Sequence, residues 1–401
     1  RMSPLLPGDT PESDALRARF AQVAMRSAPV PQAVFVRGEG AHVWDADGRR
    51  FLDFLAGIAV NALGHAHPVL VSALAEQAAR LIHVSNYVTT PQGIAFAERL
   101  VRLTGAGESG RVYPANSGAE AIEAAVKLAR RTGRPRIIAF ENGFHGRTMG
   151  ALAVTGKPAL RAPFEPMLPG VEHIPTDLAA LEAAMGDDVA AVLLEPIKGE
   201  AGVMPLPDGF LTAARELTTR HGALLIADEI QTGAGRTGDW FATQHEGVVP
   251  DAWVLAKGIG GGVPVGALVT TGAASDLFTL GQHGSTFGGN PLATGAADAV
   301  LAEIERADLV GNARRRGDEL RAGILGLGSP VVTEVRGRGL LLGVGLAGEV
   351  AQRVVDEAMR RGLIVNAPNA TTIRLAPPLM IGDAEIAEFL TLFAESLEAA
   401  S

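Results

Sequence analysis

The stretch that decides the fold is HGALLIADEIQTGAGRTG (221–238), followed after a polar and aromatic segment by PDAWVLAKGIGGGVPVG (250–266). It holds two short apolar runs, at 223–227 and 252–256, and each stops at a charged residue, Asp228 and Lys257. Unbroken apolar runs of this length, closed by Gly-rich turns, predict strands buried on both faces of a parallel sheet. In such sheets ligands bind outside the carboxyl ends of the strands. A carboxylate ending one strand and a lysine ending the next therefore suit a site for chemistry. Lysine is scarce in this chain, with only Lys127, Lys157, Lys198 and Lys257 against 31 arginines. Arginine keeps its proton, whereas lysine can lose one and form Schiff bases. A strand alternates its side chains. For Asp228 and Gln231 to address one ligand, the first strand must end near Glu229.

Outward from this stretch the pattern is α/β. Strands are expected at 111–114, 137–140, 189–194 and 266–270, and helices at 69–81 and 93–103. Another helix opens at Ser117, where Ser-x-x-Glu to Glu120 fits a capping box. The small residues of 117–119 at a helix N-terminus offer an anion site. Upstream, short strands at 34–36, 42–44 and 50–54, with an Asp-Gly turn before the last, predict a small antiparallel element. A helix is expected at 14–25. Beyond Pro291 the composition changes. Helices at 293–304, 309–325, 349–360 and 383–397 accompany strands at 331–335, 339–344, 362–365 and 372–375. The expected plan is an N-terminal segment (1–56), a large α/β domain with a mostly parallel sheet (57–290) and a smaller α+β domain (291–401).

Composition narrows the function classes. The chain has 401 residues, 47% of them hydrophobic and 20% charged, enough for about two domains with a large core. A net charge of −9 argues against nucleic-acid or membrane-surface binding. There is no cysteine, so disulfides, thiolate catalysis and Cys-based zinc sites are excluded. The first twenty residues carry no signal-like apolar core, and no apolar run is long enough for a membrane span. A cytoplasmic protein is expected. His65-Ala-His67 invites a metal reading, but no third ligand stands at a useful spacing, so these histidines are read as polar caps of a loop.

Gly233-Ala-Gly235-Arg-Thr-Gly238 matches G-x-G-x-x-G and follows a strand, so a dinucleotide-binding, NAD-dependent dehydrogenase has to be weighed. Residues 239–247, DWFATQHEG, make a poor glycine-opened helix. No acidic residue ends a second strand about 20 residues on. The run is read instead as the turn ending the Asp228 strand.

Seven stretches in order carry a family resemblance: SGAEA (117–121), FHGRT (144–148), EPIKGEAG (195–202), DEIQTGAGRTG (228–238), AKGIGGGVPVGA (256–267), GSTFGGNP (284–291) and RLAPPL (374–379). Over roughly 34–390 the chain resembles the class III, ω-amino-acid group of pyridoxal-phosphate aminotransferases. The resemblance implies the type I fold of these enzymes, a homodimer with sites at the subunit interface, and pyridoxal 5′-phosphate as cofactor. It implies a small-molecule amino donor and a 2-oxo acid as substrates, with N2-acetyl-L-ornithine and 2-oxoglutarate first among them. Succinylornithine, ornithine and 4-aminobutyrate are the alternative donors.

Position by position, Lys257 matches the lysine that holds the cofactor's aldehyde carbon. Asp228 matches the carboxylate paired with its ring nitrogen, and Glu229, Ile230 and Gln231 come with it. Phe144 matches the stacking ring, and Gly118 and Ala119 the phosphate-binding backbone. Thr286 matches a phosphate ligand from the neighbouring subunit, with Ser285 beside it near the substrate. Arg147 resembles the arginine for the donor's carboxylate or the distal carboxylate of glutamate. Arg374 resembles the one for glutamate's α-carboxylate, and Glu200 the acid that covers Arg374 when the donor has no carboxylate there. The family's N-terminal Asn-Tyr is absent, since 26–31 reads RSAPVP. Lys198 stands where Gln or Met is commoner. Gly57-Ile58 stands where ornithine aminotransferases carry a tyrosine, which leaves room for an acyl group.

Overall fold

The computed structural model describes residues 11–400. After the helix Pro11–Val23 come three short antiparallel strands, β1 (Phe35–Glu39), β2 (His42–Asp45) and β3 (Arg50–Asp53). The large sheet then takes β4 (Arg111–Ala115), β5 (Arg136–Phe140), β6 (Val171–Ile174) and β7 (Val189–Leu194). A two-residue pair interrupts it, β8 (Ile197–Lys198) with β9 (Met204–Pro205). The sheet resumes with β10 (Leu224–Asp228), β11 (Ala252–Leu255) and β12 (Gly266–Thr270). Its order across space is β4-β12-β11-β10-β7-β5-β6. The run β11-β10-β7-β5-β6 is parallel, and β12 is antiparallel to both its neighbours.

Every residue of β7, β11 and β12 is buried, which is why these strands read as continuous apolar runs. Alternation along β5 shows both faces covered. Ile137 and Ala139 join the cluster under the helix Gly118–Arg130, with Ala121, Ile122 and Leu128. Ile138 and Phe140 face the other way, against Leu211 and Leu217 of the helix Phe210–His221. The solvent-facing edge strand β6 carried no apolar run to announce it.

The C-terminal part forms a second sheet from β13 (Val332–Arg338), β14 (Leu341–Leu346), β16 (Asn366–Asn369) and β17 (Thr372–Leu375), in the order β13-β14-β17-β16. The strand expected at 362–365 is β15 (Leu363–Ile364), and it leaves that sheet to pair in parallel with β3. The N-terminal element and the C-terminal part thus share one sheet. The stacked rings of Phe54 and Phe389, 4.4 Å apart, join them again.

The GAGRTG run opens no helix, and residues 230–241 stay in turns and bends. Its Arg236 is buried and donates from Nη1 to the carbonyl of Leu340, at 3.0 Å, and to that of Pro377. The stretch that imitates a dinucleotide loop therefore ties the large sheet to the C-terminal part. His67 caps the helix Pro68–Ala78, and His65 Nε2 lies 2.8 Å from Asp53 Oδ2.

Candidate active site

The parallel strands deliver their ends to one cavity of about 360 Å³, within the range of small-molecule sites. Residues 116–119, Phe144, Glu195, Glu200, Asp228, Gln231 and Lys257 line it.

At one end lies the N-terminus of Gly118–Arg130. Ser117 caps it by accepting from Glu120 N–H at 3.1 Å. The returning half of the expected box is displaced by one residue, because Glu120 Oε2 accepts from Asn116 N–H at 2.7 Å. The N–H groups of Gly118 and Ala119 fall in the first helical turn, where no intrahelical carbonyl reaches them, and so face the cavity as donors. A Cβ at Gly118 would lie 2.8 Å from Ile230 Cδ1. Any larger residue there would have to push the Ile230 side chain aside.

β10 ends at Asp228, and the chain turns at once, so Ile230 and Gln231 come back to the cavity that Asp228 faces. Asp228 is buried. Its Oδ1 accepts from Ile230 N–H at 3.0 Å, and its Oδ2 lies 2.7 Å from His145 Nδ1. Burial draws the His145 pKa down, but the bond to Asp228 and its charge outweigh this and leave it above its ordinary value. Behind His145, burial pushes the Glu195 carboxyl up to about 7. Glu195 Oε1 accepts from Phe144 N–H at 2.8 Å, so this acid positions the predicted stacking ring. His145 and Glu195 had no role in the sequence reading, although both stand inside motifs quoted for it. Their partners lie 83 and 51 residues away.

Glu229 points elsewhere. Its carboxylate is buried, accepts from the N–H groups of Ala242 and Thr243 at 2.8 Å each, and takes the Thr232 hydroxyl. It holds the 242–246 turn and does not line the cavity.

Lys257 follows β11 directly, in a left-handed conformation with φ of 50°, unusual for a non-glycine residue and found at functional sites. Burial, then the positive charge of Arg374, lowers its ammonium pKa, and the acids Glu200, Asp228 and Glu195 act against that fall. The cavity wall above it continues from a second strained turn. Ala56, Gly57, Ile58 and Ala59 all have φ between 51° and 67°, a left-handed stretch that costs roughly 1–2 kcal/mol for each non-glycine residue. Asp53 supports it by accepting from the N–H groups of Leu55 and Ala56. The turn presents Val60 to the cavity.

Opposite stands Arg374, on β17 of the second sheet and 0% exposed. Nε donates to Asn366 Oδ1 at 3.0 Å, and Nη1 donates to Glu200 Oε1 at 2.5 Å and Gln231 Oε1 at 3.3 Å. Nη2 is buried with no hydrogen-bond partner among the described residues. A buried charged donor without a partner is costly, and an incoming carboxylate would satisfy it. A Cβ on Gly199 would fall 2.0 Å from Gln231 Oε1, so the Glu200 loop needs glycine to pass this close. Burial alone would raise the Glu200 pKa, but the charge and hydrogen bond of Arg374, then Lys257 and Lys157, bring it below its ordinary value.

Three predicted residues lie outside this cluster. Arg147 is exposed, with its guanidinium carbon 5.7 Å from the centre of the Phe144 ring. Thr286 is exposed and does not line this chain's cavity. Ser285 Oγ accepts from Asn116 Nδ2 at 3.1 Å, at the cavity rim. No group of three or more metal-ligating side chains occurs among the described residues, and none of their helices is long and apolar enough to cross a membrane.

Residues 23–397 match the family described as aminotransferase class-III. The chain is 51% identical over 387 residues to an acetylornithine aminotransferase of Mycolicibacterium smegmatis, covering 96% of this chain and 99% of that one. It is 50% identical over 380 residues to an acetylornithine aminotransferase of Streptomyces coelicolor, covering 94% of each. A crystal structure of the ornithine aminotransferase from Toxoplasma gondii ME49 superposes with a TM-score of 0.91 at 34% identity, covering 96% of this chain and 95% of that one. The N-acetylornithine aminotransferase from Stenotrophomonas maltophilia K279a gives a TM-score of 0.82 at 38% identity, covering 95% and 98%.

Proposed function

The chain belongs to the class-III aminotransferases, and from that premise we propose that it moves the δ-amino group of N2-acetyl-L-ornithine to 2-oxoglutarate. The products are N-acetyl-L-glutamate 5-semialdehyde and L-glutamate, a step of arginine biosynthesis. A cytoplasmic location goes with that role. Relatives near 50% identity support the substrate choice. The observation that carries the reading is Arg374, buried, half-satisfied and covered by one acid.

The residues fit pyridoxal 5′-phosphate. The first-turn N–H groups of Gly118 and Ala119, which line the cavity, suit its phosphate. The Phe144 ring offers a stacking face. Asp228, hydrogen-bonded to His145 and to Ile230 N–H, would pair with the ring nitrogen. Lys257, with its lowered pKa, would take the aldehyde carbon. When bound, the cofactor supplies an electron sink for the pair left at the substrate carbon.

The chain's own groups do the rest. The Lys257 amine removes the proton from the carbon bearing the transferred nitrogen and returns one later. With the amine donor, Glu200 stays on Arg374 and neutralises it. With glutamate or 2-oxoglutarate, the α-carboxylate takes Arg374 in a bidentate grip and Glu200 must leave. Arg147, over Phe144, receives the other carboxylate at the entrance. We take the working unit to be a homodimer in which Thr286, with Ser285 beside it, serves the partner's cavity. The exposure of Thr286, Phe287 and Leu280 along one loop supports this.

One observation favours a second donor, free ornithine, since the Toxoplasma enzyme superposes with the higher TM-score. Against it stands Gly57-Ile58, at the position where the resemblance places a tyrosine in ornithine aminotransferases. Values of kcat/KM for N2-acetylornithine, succinylornithine, ornithine and 4-aminobutyrate, each with 2-oxoglutarate, test the proposal. N2-acetylornithine should lead, and a clear preference for ornithine or 4-aminobutyrate overturns the substrate reading. The purified protein should also take up pyridoxal phosphate with a yellow band that borohydride bleaches. A protein that gains no such band contradicts the cofactor assignment.

A further inference from the structure

Three of the four lysines gather around the 195–200 loop and the cavity, and none of the four makes an ion pair with a carboxylate among the described residues. Lys198 is spent on the carbonyl of Glu141 and the hydroxyl of Thr176. Lys257 is committed to the cofactor in the reading above. Lys157 remains. It is partly exposed, precedes the short helix Pro158–Arg161, and donates from Nζ to the backbone carbonyl of Glu200 at 2.7 Å. An ammonium has three donors, and this hydrogen bond uses one.

The switch at Arg374 leaves a question of where Glu200 goes. The arginine cannot move aside, because it is 0% exposed, sits on a strand inside a sheet, and is pinned by Asn366 and Gln231. The side chain of Glu200 is 25% exposed and stands on a loop, so the carboxylate does the moving. Once an incoming carboxylate holds Arg374, Glu200 beside it is a like charge in a confined space, which is costly unless it finds another cation. The cations that act on Glu200 are Arg374, Lys257 and Lys157. With the first given to substrate and the second to cofactor, Lys157 alone is left among the described residues. It is already anchored to the main chain of Glu200, within the reach of that side chain's own rotations.

We propose that Lys157 is the second station of the Glu200 carboxylate, a positioning residue that receives it from Arg374 whenever a substrate α-carboxylate enters. The proposal rests on the Arg374–Glu200 reading and adds to it the state in which glutamate and 2-oxoglutarate bind. Lys157 touches neither substrate. It acts by making the uncovered state of Arg374 affordable in charge terms, so its removal weakens one half-reaction only.

Single-turnover measurements on the cofactor-loaded enzyme test this, following each half-reaction separately in Lys157→Gln, Lys157→Met and Lys157→Arg. Gln keeps a donor for the Glu200 carbonyl and loses the charge. Met loses both, and Arg keeps both. Glutamate and 2-oxoglutarate should bind roughly three- to fivefold more weakly in the Gln and Met variants, the worth of a partly exposed ion pair. The N2-acetylornithine half-reaction should stay within about twofold, and Lys157→Arg should restore the first. In a Glu200→Ala background, Lys157→Gln should have no further effect. If Lys157→Gln is silent, slows both half-reactions alike, or still acts without Glu200, the lysine is only a backbone anchor and the proposal falls. If Glu200→Ala by itself slows both halves equally, the underlying switch fails and takes the proposal with it.

Discussion

The two ends of the cavity are built differently. At the cofactor end the buried acids have their partners: Asp228 holds His145 and Ile230 N–H, and Glu195 holds Phe144 N–H. These groups sit at the ends of strands or in the turns directly after them. At the carboxylate end Arg374 comes from the second sheet, Glu200 from a loop, and one buried guanidinium nitrogen has no hydrogen-bond partner among the described residues. The difference matches the roles proposed for the two ends. A cofactor that stays in place calls for a fixed, satisfied frame. Two substrates that alternate in one site call for a charge that can be covered and uncovered. Changes at the first end should therefore lower both half-reactions together, whereas changes at the second should split them.

The largest break is at Lys257. Lys257→Ala should lower kcat by about 10⁴-fold or more with every amine, because both proton transfers lose their base. It should still bind pyridoxal phosphate through the phosphate end, as equilibrium dialysis would show. Near-normal turnover would mean that another lysine does the chemistry. Next comes Asp228→Asn, expected to slow both half-reactions by roughly 10²–10³-fold, as for the loss of a charge that stabilises the reacting system. A split between the halves would contradict the comparison. Arg374→Lys should weaken 2-oxoglutarate and glutamate by about 10- to 100-fold, since the planar bidentate grip is lost. The KM for N2-acetylornithine should change far less, and equal losses would place Arg374 in a purely structural role.

The smallest effect is in stability against pH. Glu195 is pushed from the ordinary 4.5 up to about 7, and His145 lies above its ordinary 6.5. Both hold a proton more tightly folded than unfolded, so folding is favoured at low pH and their contribution fades as pH rises. For Glu195 the window is about 4.5 to about 7, and for His145 it begins near 6.5 and runs through the raised value. Urea denaturation of the cofactor-free chain should lose roughly 1–3 kcal/mol across the Glu195 window. Glu195→Gln should flatten that slope. An unchanged slope would show that the proton sits elsewhere.

The sequence made the cofactor end readable because burial on both faces leaves unbroken apolar runs, and the residues that end them stand out. Asp228 and Lys257 were legible for that reason, and Ser117 through its cap. The pairing of β15 with β3 was not, since a two-residue strand carries no sign of a partner 311 residues away. The orientation of Glu229 was hidden too. It sits between Asp228 and Ile230, and only the turn that starts after Asp228 sends it toward Ala242 and Thr243. His145 is one more polar residue in FHGRT until the fold brings it to Asp228. The carboxylate end was legible only through resemblance, because Arg374, Glu200 and Gln231 meet across separate sheets.

The most direct test follows the nitrogen itself. The cofactor-loaded enzyme is given N2-acetyl-L-ornithine labelled with ¹⁵N at the δ position, together with unlabelled 2-oxoglutarate, and the products are read by mass spectrometry. Glutamate should carry the ¹⁵N, mole for mole with the semialdehyde. Unlabelled glutamate, or label that remains on the amine while turnover proceeds, would contradict it.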